Sequence, residues 1–261
     1  MSKAPLGVLV LHGYTANPNA VKSAVDMITG LGMPVRSPAL RGHGTVPQDL
    51  LTVTKEDWLA DAMQAALVLM DEAEKLIIVG HSMGGCASVA LASSEELAGK
   101  LIGVILLAPA FAMHNPLLRI AFNSGPTTQR IITAISACFL STVSPGIAYD
   151  DIERQKFSTN YARVPTAAII TFIQLAVHSK SKLPEVKVPV ACILMKRDRI
   201  VNSDGVKRIL EKRLTNSTLQ ITELASGGHE MLLDSCSDTV VAEIKKYLQY
   251  VLASNNAFVA F

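Results

Sequence analysis

The segment that most limits what this chain can become is Gly80-His81-Ser82-Met83-Gly84. It is set between the apolar run Leu76-Ile77-Ile78-Val79 and a helical stretch that reads to about Leu97. A strand that turns straight into a helix leaves no room for side chains at positions 80 and 84, and it holds Ser82 in strained backbone geometry at the tip. The G-x-S-x-G spacing by itself is common. Between a buried strand and a helix it points to a nucleophilic serine rather than a structural Gly/Ser turn. The first N–H groups of the helix, that of Met83 foremost, are then aimed at any oxyanion that develops there.

The rest of the chain supplies a frame for such a turn. Leu6 to Leu11, Pro34 to Ser37, Leu76 to Val79, Gly103 to Ala108, Val190 to Met195 and Leu219 to Leu224 read as six short strands. Their near-continuous apolar character is that of parallel strands covered on both faces. Asn17-Pro18 reads as an N-cap with proline at the first helical position, and that helix should stop near Gly30 or Gly32. Thr54 with Asp57 resembles a capping box opening a long helix to about Glu72. Ser203 to Arg213 and Cys236 to Ala253 read as the last two helices. The class is α/β.

Between the fourth and fifth strands the alternation breaks. This stretch reads as several helices separated by Pro116, Gly125-Pro126, Pro145-Gly146 and Pro165. From Phe111 to Tyr149 the only ionised side chains are Arg119 and Arg130. A solvated subdomain would carry more charge, so the stretch is expected to cover an apolar pocket. The expected division is a core of residues 1–110 and 186–261 with a cap or lid of residues 111–185.

With 49% hydrophobic and 18% charged residues, the chain has ample core and no disorder signature. A net charge of +2 with no basic run argues against a nucleic-acid partner. The charge-free stretch Ile131 to Tyr149 has the length of a bilayer span. Its hydroxyl side chains and Pro145-Gly146 argue against one, so no stable membrane insertion is expected. Cys86, Cys138, Cys192 and Cys236 are scattered, without a C-x-x-C pair or a secretory leader ahead of them. Reduced thiols in a cytoplasmic protein, and no metal site, are expected.

A serine hydroxyl needs a base within hydrogen-bond reach. Of the six histidines, His12 and His43 fall in upstream loops, His81 lies in the elbow itself, and His114 and His178 fall in the insertion. His229, in Ser226-Gly227-Gly228-His229-Glu230 after the last strand, lies at the end of the sheet where open parallel sheets place their ligands. The base needs a carboxylate to fix its tautomer. Asp198, after the fifth strand, fits, and its rival Asp204 is sufficiently explained as an acid in the first turn of a helix. A second oxyanion donor should come from the loop after the first strand, where Gly13 allows close approach of the Tyr14 N–H. His12 is then a brace for that loop.

Taken together, His12-Gly13-Tyr14-Thr15-Ala16-Asn17, Arg41-Gly42-His43-Gly44, the tryptophan of Thr54-Lys55-Glu56-Asp57-Trp58, Gly80-His81-Ser82-Met83-Gly84-Gly85, Asp198 with Val201, and Gly228-His229 resemble the α/β-hydrolase superfamily, in its carboxylesterase and monoacylglycerol-lipase-like branch. The resemblance spans the chain apart from the insertion. It implies an α/β-hydrolase fold with a shortened, mostly parallel six-stranded sheet, a helical cap, and a two-step acyl-enzyme mechanism without cofactor. The implied substrate is a small-molecule ester with an apolar acyl group of short to medium length, monoglycerides included. Two alternatives share the fold: an aminopeptidase and a carbon–carbon bond hydrolase. A third is a hydrolase-derived binding protein without turnover.

Overall fold

The computed structural model describes residues 3–139, 142–143 and 148–254. The expected turn at Pro145-Gly146 and the tail beyond Ser254 lie outside the described residues. Six strands form one sheet: β1 (Ala4–Leu11), β2 (Val35–Arg36), β3 (Ala73–His81), β4 (Leu101–Leu107), β7 (Val190–Met195) and β8 (Leu219–Leu224). Their order is β2-β1-β3-β4-β7-β8, and every neighbouring pair is parallel. This is a six-stranded α/β sheet of the expected kind, with the chain reversing direction of travel on either side of β1 and β3.

Side-chain alternation divides the strands between two cores. Leu6, Val8 and Val10 of β1 join Ile77, Val79, Ile105 and Leu107 on one face, against α1 (Lys22–Gly30) and α8 (Ser237–Ser254). Leu9, Leu11, Leu76, Ile78 and Leu106 join the other face, against α2 (Lys55–Glu72), α3 (Met83–Ala92) and α6 (Ile169–Lys182). Because both faces are covered, the strands have no need of polar residues, and their apolar runs follow. Each fully buried Leu, Ile or Val contributes about 1.5–3 kcal/mol relative to exposure.

Local signals set the helix starts. Asn17 caps the short 3₁₀ turn Pro18–Val21 that leads into α1. At α2 the Thr54 hydroxyl accepts the Asp57 N–H, and the Asp57 carboxylate accepts the Thr54 N–H, completing the capping box. The helix that follows the elbow is shorter than expected and ends at Ala92. Ser93 and Ser94 turn their hydroxyls onto the carbonyls of Ala90 and Leu91, each at 2.8 Å, which competes with a further helical turn.

Residues between β4 and β7 form α4 (Pro116–Ala121), α5 (Pro126–Phe139), a two-residue antiparallel pair of β5 (Thr142–Val143) with β6 (Val164–Pro165), and α6. The β5–β6 pair was not expected among helices. It depends on partners distant in sequence, which local pattern does not reveal. α6 packs directly on α3, behind the elbow. Buried Lys180 of α6 donates to the Phe122 carbonyl (2.7 Å) just past α4, where a cation suits the carbonyl end of a helix. α7 (Ser203–Arg213) crosses between β7 and β8.

Two glycines separate a tight fit from a spare position. A Cβ on Gly84 would lie 2.3 Å from the Leu11 carbonyl oxygen, whereas one on Gly30, at the end of α1, would meet nothing within 4 Å. Gly84→Ala should therefore lose about 3 kcal/mol or more in urea unfolding, while Gly30→Ala should be neutral or gain up to about 1 kcal/mol. Equal behaviour of the two would contradict the close contact between α3 and β1.

Candidate active site

The loops at the carboxyl ends of β1, β3, β7 and β8 meet at one place. β3 ends at His81, and Ser82 follows with φ +53° and ψ −112°, a left-handed conformation that costs a non-glycine residue about 1–3 kcal/mol. Hydrogen bonds hold it there. The Ser82 N–H donates to the Leu107 carbonyl at 2.9 Å, and the Ser82 carbonyl accepts the N–H groups of Gly85 (3.0 Å) and Ala110 (3.2 Å). A Cβ on Gly80 would lie 2.3 Å from the Gly84 carbonyl oxygen, so the turn closes only without side chains there.

Ser82, His229 and Asp198, all buried, form a continuous hydrogen-bonded series. His229 Nε2 lies 2.8 Å from Ser82 Oγ, and His229 Nδ1 lies 2.7 Å from Asp198 Oδ2. An ionised carboxylate can only accept, so Nδ1 carries the proton and Nε2 is left to accept from the serine. Asp198 is fixed in turn: its Oδ1 accepts the N–H groups of Ile200 and Val201, both at 2.8 Å. Asp204 instead lies in the first turn of α7, which Asn202 caps.

Burial opposes charge on both partners, and their mutual attraction outweighs it. The Asp198 carboxyl loses stability as an anion through burial but is held below its usual range by His229 and by the Val201 and Ile200 N–H groups. Burial would depress His229, yet the charge and hydrogen bond of Asp198, with Glu230 behind them, raise it above the ordinary imidazole value. An imidazole so placed takes up a proton more readily than a free one and becomes charged once the pH falls through its raised pKa.

The loop after β1 brings Gly13 against this series. A Cβ there would lie 3.2 Å from His81 Nδ1 and 3.3 Å from Ser82 Cβ, a tight fit that glycine eases. Among the described residues, the backbone N–H groups of Tyr14 and Met83 have no acceptor of their own. The Tyr14 ring is locked by stacking on Phe172 of α6, with centroids 4.9 Å apart and planes 7° apart. Its edge contacts include Trp58 and His43. His12 braces the loop as a neutral ring: Nδ1 donates to the Gly13 carbonyl (2.9 Å) and Nε2 accepts the Leu40 N–H (3.2 Å). Burial, with His43 nearby, pushes its pKa down to about 3. His43 is likewise pushed down by burial, to about 4.

Two participants escaped the reading of the sequence. His81 does not merely precede the serine: its Nε2 donates to the His229 carbonyl at 2.8 Å, tying elbow to base loop. Asp234, five residues after His229, gathers the N–H groups of that loop. An acid closing the apolar run Met231-Leu232-Leu233 was the available signal. Among the described residues no cluster of His, Cys, Asp and Glu has the make-up of a metal site, and no helix is long and apolar enough to cross a membrane.

This architecture, a parallel sheet with a strained serine elbow and an acid and a histidine on later loops in the order Ser, Asp, His, is that of the α/β-hydrolases. A family profile described as Serine aminopeptidase, S33 matches residues 3–236, and the chain belongs to that family. It is 24% identical over 230 residues to the thermostable monoacylglycerol lipase of Bacillus sp. (strain H-257), covering 88% of this chain and 85% of that one. It is 21% identical over 243 residues to a carboxylesterase of Bacillus subtilis (strain 168), covering 93% and 92%. Among solved structures, one from work on LipS and LipT, two metagenome-derived lipolytic enzymes, superposes with a TM-score of 0.80 at 24% identity, covering 95% of each chain. The chain thus stands in the lipase and esterase branch of the superfamily.

Asp198→Asn should lower kcat by about 10³–10⁴-fold by removing the partner that fixes the His229 tautomer, whereas Asp204→Asn should leave kcat within about twofold. In the unsubstituted protein the acid limb of kcat/KM against pH should lie above the ordinary imidazole pKa, because only neutral His229 accepts the serine proton. A limb below that value would contradict the ion pair.

Proposed function

We propose that the protein is a serine carboxylic ester hydrolase whose acyl-enzyme forms on Ser82. The observation that carries this reading is the series Ser82 Oγ, His229 and Asp198, joined at 2.8 and 2.7 Å. In the proposed reaction, His229 Nε2 takes the Ser82 proton as Oγ attacks the ester carbonyl. The oxyanion rests on the N–H groups of Tyr14 and Met83, each such donor contributing about 3 kcal/mol to lowering the barrier. His229 then protonates the departing alcohol, leaving the acyl group on Ser82. Water, deprotonated by His229, releases it by the reverse sequence. No cofactor takes part.

Residues 111–185 are proposed to cap the site. Their first half, from Phe111 to Tyr149, is free of acids, which suits an apolar acyl chain of short to medium length. The names of the relatives, a monoacylglycerol lipase and a carboxylesterase, support monoglycerides and simple carboxylic esters as substrates. The family description keeps an aminopeptidase as a second reading. That activity needs a carboxylate in the cap to hold the substrate ammonium, and the acid-free half of the insertion disfavours it. Buried free thiols at Cys86, Cys192 and Cys236 support a cytoplasmic setting.

A fluorophosphonate probe should label the protein rapidly and fail to label Ser82→Ala or His229→Ala. Across p-nitrophenyl esters of increasing chain length, with a monoglyceride and an aminoacyl amide alongside, kcat/KM should favour the esters. Preference for the amide would replace this reading with the peptidase one.

A further inference from the structure

The scheme above uses three buried side chains and leaves a fourth at the same end of the sheet without a task. Asp234 is 1% exposed. Its Oδ2 accepts the N–H groups of Gly228 and Asp150, both at 2.7 Å, and its Oδ1 accepts those of Ser235 (2.7 Å) and Asp151 (3.3 Å). Two of these donors, Gly228 and Ser235, flank the His229 loop, and two, Asp150 and Asp151, lie in the middle of the insertion. A buried carboxylate ringed by N–H donors stays ionised: burial works against the charge, but the Asp150, Gly228, Ser235 and Asp151 N–H groups hold its pKa below the usual range.

The same two segments touch at other points. The Glu230 N–H donates to the Ala148 carbonyl at 3.0 Å, so of the residues on either side of His229 one is bonded to this segment directly and the other, Gly228, is joined to it through Asp234. The Asp150 carboxylate reaches Arg197, next to Asp198, at 3.2 Å. The fit is close: a Cβ on Gly228 would lie 2.5 Å from the Ala148 carbonyl oxygen.

We propose that Asp234 is a positioning residue that clamps the His229 loop to residues 148–151 of the insertion, so that the base holds its reach to Ser82 and Asp198 only while that segment is seated. Gly227-Gly228 gives the loop backbone freedom that such contacts offset, and a displacement of about 1 Å at a reacting group costs about 10²-fold in rate. The proposal rests on the assignment of His229 as the base.

The test compares Asp234→Asn, which sets an amide N–H₂ against donors, with Gly228→Ala, which keeps the carboxylate but forces the two segments apart. Both are assayed with p-nitrophenyl butyrate, below the unfolding temperature of each variant. Each should lose about tenfold or more in kcat with KM within about twofold, and the acid limb of kcat/KM should move to lower pH as the hold of Asp198 on His229 loosens. A purely structural role would lower the unfolding temperature and leave kcat and the acid limb unmoved, and that result in either folded variant overturns the clamp. A kcat loss matched by an equal rise in KM also overturns it. If Asp234→Asn does not fold, Gly228→Ala decides by the same split. Fluorophosphonate labelling of Ser82→Ala, run in parallel, separates the two claims: labelling that persists there removes the triad, whereas labelling lost there with unchanged kcat in the variants removes only the clamp.

Discussion

Where β3 ends and α3 begins, the first turn of the helix lies so close to the carbonyls of β1 that a single methyl group at Gly84 would lie 2.3 Å from the Leu11 oxygen. That approach accompanies a left-handed backbone at Ser82. The strain persists because the flanking N–H and carbonyl groups are bonded to β4 and to the helix. The same turn that strains the serine leaves the Met83 N–H beside it.

Everything else at the site depends on the sheet bringing other loops to that point. Parallel strands end on the same side, so the loops after β1, β7 and β8 come from distant parts of the chain to one crevice. The Tyr14 loop is held by the hydrogen bonds of His12 and by the stack of Tyr14 on Phe172. Asp198 is fixed by two N–H groups of its own turn. The His229 loop, after Gly227-Gly228, is held partly by itself, the Asp234 carboxylate accepting the Gly228 N–H and the Glu230 carbonyl those of Leu233 and Asp234. It is also tied to His81 and, through Glu230 and Asp234, to residues 148–151.

The strands and the capped helices were legible in the sequence because each rests on local chemistry: apolar runs covered on both faces, Asn17-Pro18, and the reciprocal Thr54–Asp57 bonds. Ser82, Asp198 and His229 were singled out because a nucleophile, an acid and a base are each expected just beyond a strand, and the structure places the three side chains within hydrogen-bond reach of one another. Less was legible where distant partners decide. β3 begins at Ala73 rather than Leu76 because its first residues pair with Ala4 and Leu6. The β5–β6 pair joins residues on opposite sides of a loop. The tie from His81 to the His229 carbonyl and the shared donors of Asp234 cross about 150 and 80 residues of chain, and no periodicity announces them.

In the proposed reaction one strained serine, Ser82, carries the acyl group. Acid quenching during steady turnover of a slow p-nitrophenyl ester, followed by proteolysis and mass spectrometry, tests it directly. The expected product is a peptide containing Gly80-His81-Ser82-Met83-Gly84 that is heavier by one acyl group, with the modification on Ser82. Turnover with no acylated peptide, or with the acyl group on another residue, would contradict it.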